Sequence, residues 1–269
     1  MTTSRLFVKQ TDPIKPKKET LPTMYDLPSE DPEEPGLPDE FHDLQPQLLS
    51  ATLRLTDVAR NQIFTGTDLN LYYDLNHPLW HKRPDWFAVL RVPRLYNSTD
   101  LRMSYVVWQE EVNPSVIVEL ISEGTEKEDL GETESTEGKA PTKWAVYEQI
   151  LKVPYYIVYD RYKDILRAYQ WVDGQYEALV IKEGRTWLPD LKLGLGLWHG
   201  EYDGISRQWL RWIDAQGNWI PTPLEQAQQE REQAEQQREQ AEQQREQAQG
   251  EAARFAAKLR ELGIDPGQV

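Results

Sequence analysis

The sequence contains no cysteine. That excludes disulfides, thiolate metal sites and a cysteine nucleophile together, so a metal site here must use carboxylate, imidazole or backbone oxygen. Its four histidines, at 42, 77, 81 and 199, form no H-E-x-x-H pattern. His77 and His81 stand four apart, but Pro78 between them argues against a helical metal pair. No apolar run approaches the length of a membrane span, and the first residues lack the apolar centre of a signal peptide. The expectation is a soluble, cytoplasmic protein. There is no Walker A lysine and no G-x-S-x-G elbow, and Gly194-Leu-Gly196 lacks the third glycine and the βαβ setting of a dinucleotide loop.

What is present is a chain of 269 residues, 39% hydrophobic and 10% aromatic, enough to bury a real core. Its formal net charge of −15 argues at first against a nucleic-acid partner. The acids, however, are concentrated. Residues 26–43 hold eight acids and no Lys or Arg, 123–137 carry a net −6 and 225–251 a net −5, leaving +4 on everything else. A mildly basic body remains able to meet phosphate.

Residues 1–38 read as a flexible Pro-rich and acidic arm, broken by seven prolines from Pro13 to Pro38. Leu44, Leu48, Leu49, Leu53 and Leu55 then predict an amphipathic helix over about 42–58, with Pro46 in its first turn. Trp86–Val92 and Ser115–Ile121 are nearly continuous apolar runs bounded by prolines, the pattern of buried strands. A helix over 142–151 and a strand over 155–159 follow, then a hairpin signal at Val172-Asp-Gly174 and a weaker one at 214–218. The tryptophans at 187, 198, 209, 212 and 219 are expected to build a small satellite core or hairpin rather than a base-stacking platform. Strand, helix and strand in this order predict an α/β fold on a mixed sheet. The tail repeats EQAEQQR at 232–238 and 239–245, with Ala227, Ala234, Ala241 and Ala248 seven apart. A second apolar heptad position is missing until Phe255, Leu259 and Leu262, so a long solvated helix with a weak coiled-coil seam is expected. The domains read as the arm 1–38, a folded body 39–221 and a heptad-patterned helix 222–269.

The chemistry rests on two acids. Pro84-Asp85 opens one strand; by itself the dipeptide is a common turn. Glu119 interrupts Val-Ile-Val-Glu-Leu-Ile, a run otherwise fit for burial, so its carboxylate must be paired, protonated or metal-bound, unless the strand end reaches solvent. Two carboxylates on adjacent strands can hold Mg2+, which takes one or two protein carboxylates and keeps several waters. Lys143, near the start of the helix after the acidic loop, is the candidate to orient an attacking water or neutralise developing charge; a plain solvated lysine is the competing reading. His81-Lys-Arg83, just before Asp85, reads as a solvated loop more readily than as a phosphate contact.

A resemblance adds to this. A helix with His42 near its start is followed by Pro84-Asp85 and Pro114-Ser-Val-Ile-Val-Glu119-Leu-Ile-Ser122. Asp129-Leu-Gly131, Lys143-x-x-x-Tyr147 and Val153-Pro-Tyr-Tyr-Ile-Val-Tyr-Asp160 complete the order. This order resembles the Uma-type family of restriction-endonuclease-like proteins, with the PD-(D/E)XK nuclease core, over about 40–200. The resemblance implies a restriction-endonuclease-like mixed β-sheet core flanked by helices. It implies an endonuclease that hydrolyses DNA phosphodiester bonds through a metal-activated water. Asp85 matches the first acid and Glu119 the second, as ligands of Mg2+ (or Mn2+). Ile121 stands where the usual lysine lies, and the lysine of the following helix, Lys143, takes its place; Lys139 is the other candidate because Glu132–Pro141 resembles an insertion. DNA is the implied partner, with a homodimer as a further expectation from two-fold cutting. A non-cutting module that keeps the nuclease fold, and an interaction protein working through its tail, remain as alternatives.

Overall fold

The computed structural model describes residues 39–122, 124–133 and 138–261. The arm 1–38 and the last tail residues, Leu262 among them, lie outside the described residues. Asp39 starts helix α1, Glu40–Thr52, by accepting hydrogen bonds from the Phe41 and His42 amides. The helix therefore begins two residues before, and ends six residues short of, the span the leucine spacing predicts. Leu53 has an extended backbone and is buried, and Leu55 packs against the same core, so these two reach it at a strand-like spacing of two.

Along the chain follow β1 (Ile63–Thr67), β2 (Leu71–Tyr72), β3 (Trp86–Leu90), β4 (Tyr105–Val106), α2 (Val107–Glu110) and β5 (Val116–Leu120). Next come α3 (Glu126–Asp129), α4 (Lys143–Ala145), β6 (Tyr155–Asp160), β7 (Ile165–Val172) and β8 (Gln175–Ala178). The chain continues through β9 (Arg185–Leu188), β10 (Leu193–Tyr202), β11 (Ile205–Ile213) and α5 (Pro223–Glu261). Six strands form one mixed sheet in the order β1-β3-β5-β6-β7-β8. Its β5–β6 pair is parallel and its other pairs are antiparallel. The β7–β8 hairpin turns through Asp173 and Gly174, both at positive φ, as an Asp-Gly pair in a two-residue turn requires.

Strand alternation divides the core in two. Trp86, Val116, Val118, Leu120, Tyr155 and Ile157 face α1 and the second sheet, β11-β10-β9. Phe87, Val89, Ile117, Tyr156 and Val158 face the other way, toward Leu71, Tyr105, Val146 and Tyr147. The tryptophan-rich segment is thus larger than a satellite: Trp209 and Trp212 are fully buried and join the first of these layers. Burying two indoles against the main sheet removes more apolar area from water than a separate small cluster could.

The predicted helix over 142–151 starts where expected, since Thr142 caps it by accepting from the Ala145 amide. Only Lys143–Ala145 is α-helical, and Val146–Ile150 is a π turn closed by the Leu151 amide on the Val146 carbonyl at 2.8 Å. At the other end of the chain, α5 is a 39-residue helix with no buried residue, long and solvated as the heptads predict. Among the described residues no helix is long and apolar enough to cross a membrane.

Candidate functional site

The antiparallel register of β3 on β5 pairs Trp86 with Val118 and Phe87 with Ile117. One step further along it sets Asp85 opposite Glu119, and directly opposed residues project from the same sheet face. A hydrogen bond fixes this corner: the Leu120 amide donates to Asp85 Oδ2 at 2.6 Å. Among the described residues Asp85 Oδ1 takes no hydrogen bond.

Glu119 is fully buried, and both its oxygens are held. Lys143 Nζ donates to Oε2 at 3.0 Å and the Tyr147 hydroxyl donates to Oε1 at 2.8 Å. One turn of helix separates Lys143 from Tyr147, so the two stand on one helix face over the same carboxylate. Lys143 Nζ also donates to Asp129 Oδ1, again at 3.0 Å. Asp129 is itself buried at the end of α3, and its carbonyl accepts from the Tyr156 hydroxyl at 2.8 Å. Gly131, two residues on, has φ +71 and passes so close to the Trp144 ring that an added Cβ would lie 2.6 Å from it. The chain can bring α3 against α4 here only with glycine.

Burial raises the pKa of Glu119 to about 8 against the pull of Lys143, with Asp85 and Asp129 adding to the rise. Burial also raises that of Asp85, opposed by Lys143, His42 and the Leu120 amide. For Lys143 burial disfavours the charged form, but Glu119, Asp129 and Asp85 outweigh it and hold the pKa well above the ordinary lysine value. Lys143 is therefore an ammonium set among three carboxyl groups.

A second network approaches from the other layer. His42 donates from Nε2 to the Leu120 carbonyl at 3.1 Å, while its Nδ1 lies 2.9 Å from Asp39 Oδ1. Burial works against an imidazolium there, but Asp39, Asp85 and the Leu120 carbonyl together raise the His42 pKa. Both ring nitrogens thus face acceptors, and α1 is tied to the residue that follows Glu119.

Of the residues read from the sequence, Asp85, Glu119 and Lys143 come together, whereas Lys139 is exposed on the preceding loop and has no hydrogen bond or ion pair to either acid. His77 pairs with Asp74 and stacks on Trp80, while His81 packs against Tyr72. Three neighbours escaped the sequence reading. Asp129, Tyr147 and His42 each lie in a quoted motif without a role, and the four-residue spacing of Lys143 and Tyr147 was the signal available. Lys82 lies in the His81-Lys-Arg83 stretch, which read as a solvated loop more readily than as a phosphate contact, yet its side chain is only 13% exposed and its Nζ lies 3.7 Å from Glu128 Oε1.

The two acids offer only oxygen donors, which suits a hard cation. Among the described residues no three carboxylate or imidazole side chains form a ligand cluster. Magnesium, which keeps most of its water, needs only one or two protein carboxylates. Asp85 Oδ1 without a hydrogen bond, beside carboxyl groups whose ionisation burial disfavours, fits such an ion.

The chain belongs to the Uma2 family, described as "Putative restriction endonuclease", which it matches over residues 18–205. The match spans α1, the whole six-stranded sheet and the site, and stops at the first residue of β11. The family is of the PD-(D/E)XK kind and suggests a nuclease. Among curated proteins none matches the sequence.

Proposed function

We propose that this protein is a Mg2+- or Mn2+-dependent endonuclease that hydrolyses phosphodiester bonds of DNA. The observation that carries the reading is the meeting of Asp85, Glu119 and Lys143 on one sheet face, in a chain of restriction-endonuclease-like family. Asp85 and Glu119 are the metal ligands. A divalent ion held there supplies polarisation of the phosphoryl oxygen and a bound water of lowered pKa. Lys143 is the positioning cation: an ammonium has three N–H donors, Glu119 and Asp129 take two, and the third is free to orient an attacking water. Tyr147 and Asp129 fix Glu119 and Lys143 so that neither must reorganise when substrate arrives. The folded body 39–221 carries the reaction, and the heptad-patterned segment 222–269, which contains α5, is an appendage that brings two copies together.

The experiment is cleavage of plasmid and single-stranded DNA with Mg2+ or Mn2+, wild type beside Asp85→Ala and Glu119→Ala. Metal-dependent cutting by the wild type, lost in both variants, is the expected result. Cutting that survives both substitutions would refute the assignment.

A second reading has one observation in its favour. Glu119 already has both oxygens satisfied and Lys143 is already paired, so the network closes without an ion. A DNA-binding module that keeps the fold but does not cut would look the same. DNA binding with no cutting by the wild type over the whole panel decides for that reading.

A further inference from the structure

The cluster holds four acids, Asp85, Glu119, Glu128 and Asp129, and one lysine, Lys143, that already donates to two of them and keeps its third N–H for the attacking water. A phosphodiester approaching it meets an excess of negative charge. A divalent ion offsets part of that, and the remainder calls for a cation not already spent. The loop before Asp85 contains one.

The main chain of Lys82 is fixed: its amide donates to the Leu71 carbonyl at 3.1 Å and its carbonyl accepts from the Leu71 amide at 2.7 Å. The next residue, Arg83, turns outward and is occupied by Asp68, donating to its carboxylate at 2.7 Å and to its carbonyl at 3.1 Å. Lys82 turns the opposite way, toward Glu128, Glu119 and Lys143. Its ammonium lies 3.7 Å from Glu128 Oε1, beyond hydrogen-bond length, and that same oxygen accepts from the Lys143 amide. A lysine with a rigid backbone, a flexible four-carbon stem and only a loose ion pair at 3.7 Å on its ammonium can move to a new anion at little cost.

We infer that Lys82 is a second cationic residue of the site and contacts a phosphate of the bound DNA strand. The inference rests on the nuclease reading, because it takes DNA as the ligand. Lys143 organises the acids, and Lys82, from the loop before Asp85, meets the DNA backbone. The contact replaces condensed counterions on the DNA, so it is visible in the salt dependence of binding as well as in cutting.

The test is binding of a fluorescently labelled duplex by the full-length protein over a salt series, without divalent ion and again with Ca2+. Wild type is compared with Lys82→Gln, Lys82→Arg, Lys192→Gln and the double variant Lys82→Gln/Glu128→Gln, each checked for an unchanged melting transition. Lys82→Gln should lower the slope of log K against log salt by about one. Lys82→Arg should restore it, and Lys192→Gln, which removes the same charge from an exposed ion pair with Asp57, should leave it unchanged. The double variant should keep the lowered slope of Lys82→Gln, although loss of the Glu128 charge strengthens its binding at each salt concentration. A wild-type slope in the double variant would mean that Lys82 only neutralises Glu128 and would overturn the inference. A wild-type slope in Lys82→Gln, or an equal fall in Lys192→Gln, overturns it too. If the wild type cuts while Lys82→Gln binds normally, the nuclease reading survives and this inference alone fails; if the wild type neither binds nor cuts, both fail.

Discussion

Lys143 Nζ stands 3.0 Å from Glu119 Oε2 and 3.0 Å from Asp129 Oδ1, bridging a strand carboxylate and one delivered by a four-residue helix. Removing that ammonium leaves two buried acids facing each other without a cation. Lys143→Met should therefore lower stability by about 3–5 kcal/mol, the usual cost of breaking a buried pair from one side. Urea unfolding measures it. The double variant Lys143→Met/Glu119→Gln should lose clearly less than the sum of its singles, because the second change removes the charge that the first left unpaired. Additive losses would show that the three groups do not form one network.

The Tyr147 hydroxyl is the other partner of Glu119, and both groups are fully buried. Tyr147→Phe keeps the ring in the second core layer and deletes only the donor. A buried acceptor left without its hydrogen bond costs about 1–3 kcal/mol, so a loss in this range is expected with little change in the denaturant m-value. A loss below about 0.5 kcal/mol would mean that another donor takes over the oxygen.

Strand identity at β3, β5 and β6 was legible because apolar runs that start just after a proline admit few other readings, and the two acids were legible because a carboxylate at or within such a run demands a reason. The register that opposes Asp85 to Glu119 was not legible. It depends on which strands pair, and the order β1-β3-β5-β6 places neighbours together that local patterns do not specify. Asp129 and Lys82 were hidden for a related reason. Each sits in a charged stretch that scans as solvated, and only the fold turns one of its charges inward while leaving Glu126, Lys127 and Arg83 nearer the surface. The helix over 142–151 was placed correctly but not its π turn, since apolar spacing does not distinguish i→i+4 from i→i+5 closure over a single turn.

Gly131 offers a test of how tightly α3 must approach α4. Alanine there adds a Cβ at a positive φ and within 2.6 Å of the Trp144 ring. Both effects act together, and Gly131→Ala should cost about 1–3 kcal/mol. Because the same contact sets Asp129 beside Lys143, cleavage by this variant should fall further than its stability explains at a temperature where it remains folded. A variant as stable and as active as the wild type would show that the segment relaxes freely.

The joint between the body and the long helix α5 carries a pH signature. Arg211 is buried, stacks over Trp198, donates to the Ile220 carbonyl and forms a two-pronged pair with Glu225. Glu225 in turn accepts from the Thr222 amide at 2.7 Å, while Thr222 Oγ1 accepts from the Glu225 amide, the reciprocal pattern of a capping box. Burial works to raise the Glu225 pKa, but Arg211 and Thr222 together hold it below the ordinary value of 4.5. A carboxyl whose pKa is depressed on folding contributes stability above its unfolded pKa and loses it as pH falls through the folded one. The docking of α5 should therefore be full above about pH 4.5 and weaken below it, whereas Glu225→Gln should be weaker throughout the neutral range and nearly flat there. Limited proteolysis near 221–226, run on both proteins across pH 3 to 7 with an acid-tolerant protease, reads the joint directly. The expected result is a protection difference that is largest at neutral pH and closes as the medium becomes acid. Equal protection at neutral pH would show that the Ile220 carbonyl and the Trp198 stack hold Arg211, and with it the start of α5, without the carboxylate.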